Sequence, residues 1–180
     1  IGSMEADPEM EDPFWLWTAH RAVTIPPHTF EYAVSSAASI SVHYIRQGRS
    51  VGLVSAGQAF TVVPASRGER QLSKILETLA FLECKGQLPL EAVVQSQSAQ
   101  LTRGSTVVLI TTVDARNLLM TVDELTRRDT KPVVVIVAPG SFEPRETSED
   151  TIASLLLRGI PVKLVKMETD LRESLEATLR

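Results

Sequence analysis

Three short runs in the second half of the chain constrain its fold more than any other feature. They are Thr106-Val107-Val108-Leu109-Ile110-Thr111, Val133-Val134-Val135-Ile136-Val137 and Val162-Lys163-Leu164-Val165. All are dense in β-branched residues, and the first two carry no polar alternation. A strand with one wet face alternates apolar and polar residues, whereas a strand buried on both faces does not. Such strands belong to parallel sheets covered by helices on each side. Helical periods separate the runs. Leu118, Leu119, Val122 and Leu125 mark one helix, closed by Arg127-Arg128 near its negative dipole end. A second spans 148–158, with Ile152, Leu155 and Leu156 inward and Gly159 as its cap. Asp170 and Glu173 have capping-box spacing and open a terminal helix with Leu171, Leu175 and Leu179 on one side. This order predicts βαβ units and a parallel sheet.

The first half adds a hairpin. A helix is expected over 29–47, with Phe30, Val34, Ala37, Ala38, Ser41 and Ile45 inward and Tyr32, Ser36, Ser39 and His43 on its polar side. Val51-Gly52-Leu53-Val54-Ser55 and Phe60-Thr61-Val62-Val63 then form two strands around a turn at Gly57-Gln58, the second ended by Pro64. The next helix is expected over 68–84, with Leu72, Ile75, Leu76, Leu79 and Leu82 on one face and Cys84 as a small buried residue at its end. Pro89 fits the first turn of a helix running to about residue 100. The expected class is thus α/β, a doubly wound, mostly parallel sheet with an antiparallel edge hairpin.

Residues 1–25 read differently from 26–180. Ile1-Gly2-Ser3 before Met4 has the look of a tag remnant. An acidic, proline-containing stretch follows, and then Phe14-Trp15-Leu16-Trp17-Thr18, which holds both tryptophans. The expectation is an extended segment packed on the domain at 26–180; the alternative is a docking patch formed by Trp15 and Trp17, including one that pairs two copies.

Charge and motifs remove several functions. The net charge of −4 speaks against a general nucleic-acid binder, which carries a basic surface. A single cysteine allows neither an internal disulfide nor a multi-cysteine zinc site. Gly52 and Gly57 have phosphate-loop spacing, but Gln58-Ala59 stands where Lys and Ser or Thr are needed to hold phosphate and magnesium. There is no G-x-G-x-x-G and no G-x-S-x-G, and His20, His28 and His43 lack zinc-protease spacing. In open α/β sheets ligands meet the loops at the C-terminal strand ends. The candidate residues there are Ser55, Gly57, Thr111, Thr112, Asp114 and Ser141. Asp114 with three hydroxyls offers oxygen ligands for a hard cation, or Asp114 caps the helix that follows.

Three blocks carry a family pattern in order and spacing: Glu31-Tyr32-Ala33-Val34-Ser35-Ser36-Ala37-Ala38-Ser39-Ile40, Arg49-Ser50-Val51-Gly52-Leu53-Val54-Ser55-Ala56-Gly57, and Pro64-Ala65-Ser66-Arg67-Gly68-Glu69-Arg70-Gln71-Leu72. The chain resembles the bacterial domain of unknown function number fifty-eight, a relative of von Willebrand factor type A domains. The likeness is good over 26–85 and weaker to about 165. It implies a non-enzymatic interaction module working with a MoxR-type AAA+ ATPase, in the cytoplasmic part of a protein with membrane-spanning segments upstream. The type A metal pattern departs here. No D-x-S-x-S is present, Gly86-Gln87-Leu88-Pro89 has no threonine, and Thr111-Thr112 stands where many relatives have Ser-Asp. No metal and no cofactor is therefore expected. The resemblance also places a first core strand, missing here, between the Val51 and Val107 strands. The segment at Phe14 to Thr18, or a neighbouring copy's strand, is expected to cover that place. The competing reading is an enzyme or nucleotide-binding domain acting through Thr112, Asp114 and Ser141.

Overall fold

Helix α1, Thr29–Arg46, begins at His28, whose Nδ1 accepts the Phe30 N–H at 3.2 Å, and stops before Gly48 at φ +73°. Glycine takes this left-handed position without Cβ strain. The computed structural model describes residues 25, 28–86, 88–112, 115–138, 146–166 and 170–177. α1 is buried along two stripes. Tyr32, Ala33 and Ile40 join one apolar cluster, and Val34, Ala37, Ala38, Val42 and Ile45 another. Tyr32 and Ser36 are therefore buried, not part of a wet face as the sequence pattern predicts. Ser36 is accommodated because its hydroxyl donates to the Tyr32 carbonyl at 2.7 Å.

Strands β1, Val51–Ala56, and β2, Phe60–Ser66, form the expected antiparallel hairpin. Pro64 does not end β2. The register slips between Val51 and Leu53, and Pro64 sits at this bulge, where a missing N–H costs no ladder bond. Gln71 fills the irregularity: its Nε2 donates to the Val51 carbonyl at 2.7 Å and to the Pro64 carbonyl at 2.9 Å. Helix α2, Glu69–Ala80, buries Leu72, Ile75 and Leu79 against the hairpin and α1. It is shorter than 68–84 because Phe81 closes it, and Cys84 lies beyond the helix and is exposed.

Helix α3, Leu90–Gln97, is capped by Pro89 and runs into a 3-10 turn, Ser98–Gln100. Then come β3, Thr106–Thr111; α4, Ala115–Arg127; β4, Lys131–Ala138; α5, Glu146–Leu157; β5, Val162–Lys166; and α6, Leu171–Glu176. β3, β4 and β5 form a parallel sheet in that order, as the two-sided runs predict. Side chains alternate between its faces. Leu109, Val134, Ile136 and Val162 meet Val94, Leu118, Val122, Leu125 and Leu155 from α3, α4 and α5. Val135, Val137 and Val165 meet Tyr32 of α1 and Leu171 and Leu175 of α6. Asp170 caps α6 by accepting the Arg172 and Glu173 N–H groups.

The described strands do not make one continuous sheet. β1–β2 and β3–β4–β5 are separate, and α1 packs on both. The two units nonetheless point the same way. Tyr32 near the start of α1 lies with Val137 and Val165 near the ends of β4 and β5, whereas Ile45 near its end lies with Val51 at the start of β1. β1 therefore runs antiparallel to α1, as β4 and β5 do. Gly86 rests on the Ala56 carbonyl at the end of β1, and α3 then leads back to the start of β3. Both connections put the C-terminal ends of β1 and β3 at one end of the molecule.

Candidate functional site

The end of β1 is covered by its own downstream chain. A Cβ added at Gly57 would lie 2.7 Å from the Glu83 carbonyl oxygen and 2.7 Å from Leu82 Cδ1, so only glycine allows this approach. Gln58 secures it. Its Nε2 donates to the Phe81 carbonyl at 2.7 Å, and its Oε1 accepts the Glu83 N–H at 2.8 Å. One amide thus ties the hairpin turn to the chain leaving α2. A Cβ at Gly86 would collide with the Ala56 carbonyl, so segment 81–86 lies closely over the strand end.

This arrangement leaves large apolar side chains outside. Phe81 is 73% exposed, Leu88 53% and Phe60 41%. Phe60 is the ladder partner of Ala56, and Val54, also exposed, lies on the same strand. Four of the eight exposed large hydrophobics among the described residues thus belong to the hairpin or to the chain leaving α2. Phe81 also lines an open groove of about 520 Å³ between β2 and α2, together with Val62, Pro64 and Leu82. The sequence reading missed this patch. Phe81 was expected inside a helix, yet it falls off the Leu72, Ile75 and Leu79 stripe, and that misfit was the available signal.

The expected polar candidates fare unevenly. Ser55 and Gly57 at β1 share an end of the molecule with Thr111 and Thr112 at β3, but they do not converge. The Ser55 hydroxyl is buried with no hydrogen-bond partner among the described residues. Thr111 spends its hydroxyl on the Thr112 carbonyl at 2.8 Å, and Thr112 is exposed. Asp114, Ser141, Trp15 and Trp17 lie outside the described residues. His43 pairs with Gln47 at 2.9 Å between their Nε2 atoms, and the His28 Nδ1 is engaged as the cap of α1.

Segment 86–89 supplies no threonine, Thr111-Thr112 supplies no carboxylate, and among the described residues no three His, Cys, Asp or Glu side chains cluster as ligands. Lys163 on β5 has its pKa lowered by burial, partly offset by Glu176, and its Nζ donates to the Ala177 carbonyl at 3.1 Å. Arg172 is held above its usual value by its hydrogen bond to Glu176. Neither lies at the end of β1.

No protein-family model matches the chain, and no curated protein is significantly similar to it. Among the described residues, no helix is long and apolar enough to cross a membrane.

Proposed function

We propose that this chain is a non-enzymatic protein–protein interaction domain, a von Willebrand factor A-like variant of its α/β fold with a degenerate metal site. The observation carrying the proposal is the exposure of four large apolar side chains, Val54 and Phe60 on the hairpin and Phe81 and Leu88 on the chain leaving α2. Exposed large apolar side chains offer material for an interaction site, and aromatic ones dominate the energetics of such sites. The location agrees with the end at which open α/β sheets meet ligands. The three family-like blocks at 31–40, 49–57 and 64–72 add the partner: an AAA+ ATPase of the MoxR type, met in the cytoplasm by a domain anchored through segments upstream.

A direct binding assay tests this. The purified chain is titrated against such an ATPase, and Phe81→Ser and Leu88→Ser are compared with the unaltered protein. Each substitution is expected to weaken binding about tenfold or more, the effect of losing 1.4 kcal/mol or more at an aromatic or aliphatic anchor. Thermal stability should be unchanged, because both side chains already face solvent. Equal affinity of both variants and the parent would remove the patch from the interface.

A further inference from the structure

The outer edge of the hairpin and the helix beside it form one self-complementary surface. β2 pairs with β1 alone, and among the described residues no backbone hydrogen bond beyond that ladder reaches Phe60–Ser66. An unpaired edge is a template for another strand, and charged side chains are a common guard against it. β2 carries none, and Pro64 limits the stretch able to pair to 60–63.

α2 overhangs this edge. Gln71 near its start donates to the Pro64 carbonyl, and the Phe81 carbonyl at its end accepts from Gln58, so α2 runs antiparallel to β2. Lys74, Glu77 and Phe81 line the open groove between α2 and β2, whose walls include residues 61–64 of β2 and none of β1. With Arg70, one turn earlier, these residues are spaced four, three and four apart, which sets them along one side of the helix. Lys74 and Glu77 are exposed. Glu124 pairs with Arg128 on α4, and Arg172 with Glu176 on α6, but neither Lys74 nor Glu77 has an ion-pair partner among the described residues.

We infer that a second copy of this chain occupies the surface, related by a two-fold axis that sets β2 against β2 and α2 against α2. The charge pattern selects this occupant. A two-fold axis reverses the helix, so positions equidistant from its midpoint meet. Lys74 and Glu77 are equidistant from the midpoint of the stripe, so Lys74 faces the partner's Glu77, and Glu77 the partner's Lys74. Arg70 and Phe81 are the next equidistant pair, a cation opposite an aromatic ring. They fall at the rim of the interface, which solvent reaches, so Phe81 stays open to the partner proposed above.

The strand edge calls for the same axis. With Gln71 at Pro64 and Phe81 at Gln58, the point midway between Lys74 and Glu77 lies over Thr61 and Val62, the middle of 60–63. The spacing also agrees. Leu53 and Val63, a cross-strand pair, both pack in the α2 cluster, so α2 lies over the hairpin midline. That is half a strand spacing inside β2, and the axis lies half a spacing outside it. With strands ~4.8 Å apart, the two helices stand ~10 Å from each other, a distance at which helices pack.

Sedimentation equilibrium, native mass spectrometry and hydrogen exchange on the intact chain test the inference. The expected result is a concentration-dependent dimer in which amides of 60–63 exchange more slowly than in the dilute monomer. Lys74→Glu and Glu77→Lys each set like charges face to face twice and should weaken the dimer about tenfold or more. Mixed together, the two variants should form the heterodimer, because each supplies the charge the other lacks. A chain still monomeric at about 0.1 mM overturns the inference. So does a dimer that leaves 60–63 unprotected, one that neither reversal weakens, or one that mixing the variants does not restore. Neither Lys74 nor Glu77 is altered in the partner-binding assay, so the two readings fail separately.

Discussion

Gln71 does for the hairpin what the ladder cannot. At the bulge, the Gln71 amide, itself 5% exposed, donates to two strand carbonyls, those of Val51 and Pro64. An acceptor left buried and unpaired costs about 1–3 kcal/mol. Gln71→Ala should therefore lower stability by roughly 2–4 kcal/mol, read from urea unfolding. Gln71→Glu should not rescue it, because a carboxylate presents acceptors to acceptors. Lys163 gives a second prediction at this scale. Burial lowers its pKa below 10.5, so between the lowered value and 10.5 the unfolded chain binds more protons than the folded one. Stability contributed at this site thus rises with pH through that interval. Lys163→Met should flatten the rise in alkaline unfolding curves, and an unchanged slope would show that Lys163 ionises alike in both states.

Elements were legible where their signal was local. The two-sided valine runs at Thr106–Thr111 and Lys131–Ala138 and the Gly48 and Gly159 stops are properties of a few adjacent residues. What escaped depends on neighbours distant in sequence. α1 hides Tyr32 and Ser36 because it is covered from two directions, and a single-stripe pattern cannot express that. β2 continues through Pro64 because Gln71 completes the bulge from another element. The exposed side chains were only partly legible: Phe81 falls off the α2 stripe, but Phe60 lies in β2 and Leu88 in the connection before α3, and their exposure depends on what packs beside them. Gly86 belongs to this scale too. Gly86→Ala would drive a methyl into the Ala56 carbonyl, and segment 81–86 would have to lift from the strand end. Faster amide exchange at Glu83, whose N–H is held by Gln58, is the expected sign, and unchanged exchange would show that the loop yields elsewhere.

At the scale of the molecule, the two units should differ in stability. Among the described residues β1 and β2 form a two-stranded ladder, an arrangement that is marginal without further packing, and α1 and α2 cover it. β4 is central in its sheet, with Val134, Val135, Ile136 and Val137 each at most 1% exposed. Leu155→Ala, removing a fully buried side chain from the larger core, should cost about 2–5 kcal/mol and lower the whole unfolding transition.

The claim that matters most is that this fold exists to present the end of β1 to another protein. The direct measurement is hydrogen exchange of the chain with and without the MoxR-type ATPase bound. Slowed exchange over 57–60 and 81–89, with the loop after β3 less affected, is the predicted footprint. Protection confined to α5 or α6, or none under saturating conditions, would contradict the account.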